Sequence, residues 1–122
     1  MGREAYIDDL LKRADDFFGY VSELTSWIEE EGKEFPFAKD MLECAGGMCG
    51  LIRDAWPEDT HAYESVRVGD LSQEDHTKFC SLADEFCRLM DLLVKTGVLT
   101  EIQSKPLLSE CSFIRTVITK SE

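Results

Sequence analysis

The chain has 122 residues, 43% hydrophobic and 31% charged, a balance that suits one globular domain spanning residues 1–122 and excludes a disordered tail or two domains. Its 25 acidic against 13 basic side chains give a formal net charge of -12. That field repels duplex nucleic acid, and Lys and Arg form no cluster that could overcome it, so no direct duplex binding is expected.

No apolar run reaches the roughly 18 to 20 residues a membrane-spanning helix needs, and Arg3, Glu4, Asp8 and Asp9 stand where a signal peptide would be apolar. A cytoplasmic protein without a membrane segment is the expectation. Ile7, Leu10, Ala14, Phe17, Val21, Leu24 and Ile28 alternate at three- and four-residue steps, broadened by Leu11, Phe18, Tyr20 and Trp27. This predicts a first helix from near Glu4 to Glu31, roughly 40 Å long, ended by Gly32. Glu29, Glu30 and Glu31 crowd its negative dipole end, so its last turn should fray.

Phe35-Pro36-Phe37 opens a second helix, whose apolar face runs through Met41, Cys44, Ala45, Met48, Ile52 and Ala55 to Trp56, where Pro57 stops it. Gly46, Gly47 and Gly50 in its middle each cost about 1 kcal/mol against alanine, which points to close packing first and a kink second. From Pro57 to Asp70 the pattern breaks into a long loop, suggestive of a function or an interface; Val66-Arg67-Val68 alternates like a strand without a partner run.

Ser72 to Lys95 has an apolar face too wide for a surface helix and is the centre of the predicted bundle. Its seam is Phe79, Ala83, Phe86, Met90 and Leu93, flanked by Leu82 and Leu89 on one side and Cys80, Cys87 and Val94 on the other. Ser72 with Asp75 reads as an N-cap, and Gly97 as the left-handed residue past the C-terminus. After Gly97-Val98-Leu99 a fourth helix follows, with Leu107, Cys111, Ile114 and Ile118 as its seam. Pro106 would break a hydrogen bond if that helix began at Thr100, so its regular start is placed at Ser104 or Lys105.

Five cysteines is an odd count, none forms a Cys-x-x-Cys pair, and Cys80, Cys87 and Cys111 lie on or beside apolar seams. Free structural thiols in a reducing compartment are expected. His76 and Cys80 share a helical face, but two ligands do not make a metal site. Asp40 and Glu43, with Glu31 and Glu34 before them, have the look of one magnesium motif of helical pyrophosphohydrolases, yet the chain has no Glu-x-x-Asp for the second. Arg53 and His61 stand with Pro57 between them and cannot share a helical face, as a helical ribonuclease motif would require. No catalytic residue, cofactor or metal follows from these residues, and the chain reads as a non-enzyme.

Phe35-Pro36 before helix two, Leu82 to Leu93 with Asp84-Glu85 in helix three, the Gly97-Val98-Leu99 turn and the closing run from Leu107-Leu108 to Ile118 make an order that resembles two related groups of four-helix-bundle proteins. These are the proteins encoded in intervening sequences of large-subunit ribosomal RNA genes and the accessory variability determinant proteins of diversity-generating retroelements. The resemblance implies a pentameric barrel and, for the retroelement proteins, a reverse-transcriptase partner and a basic nucleic-acid surface. Where those families carry Arg-Arg-Ala and Asn-Ile-Ala-Glu-Gly, this chain has Gly50-Leu51-Ile52-Arg53-Asp54-Ala55-Trp56.

The expected fold is all-α, an up-down-up-down four-helix bundle with a long loop between helices two and three. The expected function is that of an oligomerising accessory subunit with a protein partner. The alternative is a small acidic inhibitor of phage type that mimics nucleic-acid phosphates. Burying the two main seams leaves Leu11, Phe18 and Trp27 on one shoulder of helix one, and Leu82 and Leu89 on one shoulder of helix three. These five residues are the expected interface of a homo-oligomer, one that Phe18→Glu or Leu89→Glu would dissociate.

Overall fold

The computed structural model describes residues 4–32, 35–55, 65–67 and 71–118. Trp56, the loop from Pro57 to Asp70 apart from 65–67, and with it His61, lie outside the described residues, as does Glu34. In chain order the elements are β1 (Glu4–Tyr6), α1 (Ile7–Glu30), α2 (Ala38–Ala55), β2 (Ser65–Arg67), α3 (Gln73–Lys95) and α4 (Glu101–Val117). Each helix packs on the next and α4 closes back on α1, so the fold is an all-α four-helix bundle.

One continuous core runs through the bundle. At its centre the Phe17 and Phe86 rings meet edge to face across the α1–α3 diagonal, with centroids 5.1 Å apart. Such a pair adds about 0.5–1.5 kcal/mol beyond the area it buries. Ser104, the buried polar residue of the described core, is satisfied locally by donating to the Glu101 carbonyl at 2.9 Å.

The helix ends follow their local chemistry. Ser72 accepts from the Asp75 amide at 3.1 Å at the start of α3. At its end Gly97 takes φ +81, its N–H reaches the Val94 carbonyl and the Val98 N–H reaches that of Leu93, a Schellman closure. Gly32, at φ +66, follows α1 in the same left-handed conformation.

Three expectations need correction. The first helix begins at Ile7 and not near Glu4, because Glu4–Tyr6 pairs antiparallel with Ser65–Arg67, Ala5 opposite Val66. The alternation around Val66 therefore does have a partner, one whose residues carry no strand pattern of their own. Third, α4 begins at Glu101 with Pro106 inside it. Thr100 and Gln103 form a full capping box, with Thr100 Oγ1 accepting from the Gln103 amide at 3.1 Å and Gln103 Oε1 from the Thr100 amide at 2.9 Å. Those bonds hold the first turn while the carbonyl that Pro106 cannot serve belongs to Ile102, which is 84% exposed and open to water.

Candidate interaction surface

The glycines of α2 set one side of the bundle. A Cβ on Gly46 would lie 3.2 Å from Cε1 of Phe18, and one on Gly47 would lie 2.8 Å from Cδ1 of Leu82. Two adjacent glycines thus seat one side chain from α1 and one from α3. Gly50 has open space around it and takes no part.

This seating decides the fate of the five residues expected at an interface. Leu11 and Leu89 are buried within the chain, at 3% and 0% exposure, because α1 and α3 each lie between two neighbours and both shoulders of their apolar arcs are used. They have no surface to offer a partner. Trp27 and Leu82 are partly buried against the same core, Leu82 over Gly47. Phe18 stays 37% exposed beside Gly46. The five do not converge.

Exposed apolar surface gathers instead where α1 meets α4. A groove of about 540 Å³ runs there, lined by Arg13, Asp16, Phe17, Tyr20, Pro106, Leu107 and Glu110. Tyr20 on its α1 wall is 59% exposed. On α4, Ile102, Pro106 and Phe113 follow at steps of four and seven and share one helical face; all three are exposed. Arg13 bridges the two helices, its Nε 2.8 Å and Nη2 2.9 Å from the two carboxylate oxygens of Glu110. The same guanidinium lies 3.6 Å over the Phe113 ring. The Glu110 hydrogen bond raises the Arg13 pKa above its ordinary value, so the cation is permanent. The arrangement is a charged clasp beside an apolar strip, suited to burying a complementary helix face.

Sequence reasoning missed Ile102 because it started α4 after that residue, and it left Phe113, inside the expected helix, without a role. The signal was Thr100-x-x-Gln103, a capping box two residues before the isoleucine.

The thiols and acids lie elsewhere. Cys49 donates to Asp15 Oδ1 at 3.3 Å, and desolvation together with that carboxylate pushes its pKa up to about 11. Burial likewise raises Cys44. Cys80 Sγ is 3.7 Å from His76 Nδ1. Among the described residues no three His, Cys, Asp or Glu side chains converge as a metal ligand set. No described helix is long and apolar enough to cross a membrane.

No family model matches the chain, and no curated protein does. Among solved structures, a protein of unknown function from the S23 ribosomal protein family of Bacteroides thetaiotaomicron is similar, with a TM-score of 0.71 and 19% identity over 93% of this chain and 94% of that one. The likeness extends along nearly the whole of both chains and shows that this chain shares that protein's all-α four-helix fold.

Proposed function

We propose that the chain is a non-enzymatic interaction protein, an oligomerising accessory subunit that meets further copies of itself through the α1/α4 face. The observation that carries this is the exposed strip of Tyr20, Ile102, Pro106 and Phe113 beside an open groove. Apolar side chains grouped in this way lose water-exposed area when a second surface covers them, at roughly 25 cal/mol per Å². The order of elements that resembles the intervening-sequence bundle proteins supports the same reading. A reducing cytoplasm suits the unbridged thiols.

Light scattering tests it. The protein should run at a multiple of 13.9 kDa, and Tyr20→Glu with Ile102→Glu should reduce it to one chain while helical circular dichroism persists.

A second reading rests on a different observation. Asp9, Asp16, Glu23 and Glu30 stand at seven-residue intervals on α1, all exposed and none in an ion pair among the described residues. A monomer presenting that acidic stripe fits an inhibitor that competes with nucleic-acid phosphates. Monomer mass across a wide concentration range favours it over the first.

A further inference from the structure

The α1/α4 face carries an unpaired acid beside a cation whose donors are only partly used. Arg13 holds Glu110 through one edge of its guanidinium, Nε to Oε1 at 2.8 Å and Nη2 to Oε2 at 2.9 Å, and its Cζ lies 3.6 Å from the centre of the Phe113 ring. A carboxylate seated on the Nε–Nη2 edge leaves the Nη1–Nη2 edge for a second one. Among the described residues Nη1 makes no hydrogen bond or ion pair, and the Arg13 side chain is 42% exposed, so solvent reaches the group. The acid is Asp16. It lines the same groove, is exposed, and pairs with no group among the described residues, Arg13 three positions before it included.

The apolar features of the face are matched in the same way. Ile102, 84% exposed, forms with Pro106 and Phe113 a ridge on α4, and the groove of about 540 Å³ lies beside it. A surface that holds donor and acceptor, ridge and groove, is its own complement, and a two-fold axis sets each member against its counterpart on the other chain. Resting on the reading that this face meets a second copy, we propose that two chains pair about a two-fold axis, the Asp16 carboxylate of each taking the free Nη1–Nη2 edge of the partner's Arg13.

Charge argues for the same contact. Each copy carries a net charge of -12, so two chains repel at long range, and docking them needs local cations set against local acids. Arg13 is the cation among the described residues that line the groove. Asp9 and Glu23, seven residues to either side of Asp16 on α1, add to the repulsion. The sign of a substitution therefore separates a specific pair from general repulsion. Loss of an acid outside the contact relieves repulsion and favours assembly, whereas loss of Asp16 removes a contact from each side of the axis and opposes it.

Light scattering over a concentration series tests the pair. The unaltered chain should reach twice 13.9 kDa. Asp16→Ala should raise the dimer dissociation constant about tenfold or more, since two charge-assisted contacts go at once. Its helical circular dichroism should not change, because Asp16 has no partner inside the chain among the described residues. Glu43→Ala removes the same charge from an exposed position on α2 and should leave the constant unchanged or lower it. Asp16→Lys sets like charge against the partner's Arg13 and should leave single chains. The proposal is overturned if Asp16→Ala pairs as tightly as the unaltered chain or more so, if Glu43→Ala weakens pairing equally, or if the unaltered assembly is larger than two chains. Should such an assembly still come apart with Tyr20→Glu and Ile102→Glu, the α1/α4 face stands and the Asp16–Arg13 contact alone fails. An unaltered chain that stays single at every concentration removes both.

Discussion

Helix α1 meets its two neighbours in different ways. Toward α2 the surfaces interlock, with Phe18 of α1 beside Gly46, while the adjacent Gly47 takes Leu82 of α3. Toward α4 the helices are joined by the Arg13–Glu110 clasp and leave a groove of about 540 Å³ flanked by exposed apolar residues. Side chains of comparable greasiness are thus seated on a neighbouring helix on one flank, Leu82 partly buried and Phe18 37% exposed, and left standing in solvent on the other, where Tyr20 is 59% exposed. What separates them is the room their neighbours leave: glycine admits a side chain, whereas the helix bearing Pro106 and Leu107 stands off.

The largest expected effect comes from the interlocked side and its central layer. Leu89 is fully buried, so Leu89→Ala should cost about 2–5 kcal/mol in urea unfolding, and Leu89→Glu should unfold the chain and not merely separate subunits. A folded, stable Leu89→Glu protein would place this residue outside the core. Next in size are the glycines. Gly47→Leu should destabilise by about 1–3 kcal/mol, since even its first carbon would meet Leu82 at 2.8 Å. Gly50→Ala, with open space around it, should stabilise by about 0.5–1 kcal/mol. Equal responses at the two positions would erase the distinction between a seat and a bare helical glycine.

The smallest effect concerns pH. Cys87 ionises at about 7 in the fold and near 8.5 in the unfolded chain, so between those values the unfolded state holds more protons and stability rises with pH. At higher pH the sign reverses, because Cys49, raised to about 11, and Cys111 stay protonated in the fold after unfolded thiols have ionised. The difference in unfolding midpoint between the unaltered protein and Cys87→Ser should therefore widen from pH 7 toward 9, by less than about 1 kcal/mol after solvent screening. A difference that narrows over that interval would mean the Cys87 thiol is not favoured as thiolate.

The sequence showed the bundle well, because three- and four-residue alternation records which face of a helix is buried. Ser72 and Gly97 marked the ends of α3 for equally local reasons. The interface was less legible. Periodicity says how wide an apolar arc is, but not how many neighbours share it, so Leu11 and Leu89 appeared as shoulders although the bundle covers both. Ile102 was missed for a local cause: the cost of Pro106 was weighed without the gain from the Thr100–Gln103 capping box that offsets it. The pairing of Glu4–Tyr6 with Ser65–Arg67 had no signal in the first strand, where no β-branched residue marks it.

The open flank of α1 is the decisive region, and the mass of the protein in solution addresses it most directly. Light scattering across a wide concentration range should give a multiple of 13.9 kDa for the unaltered chain and a single-chain mass for Tyr20→Glu with Ile102→Glu, both with the same helical circular dichroism. A single-chain mass for the unaltered protein at every concentration, or an oligomer that survives both substitutions, would contradict assembly through the α1/α4 face.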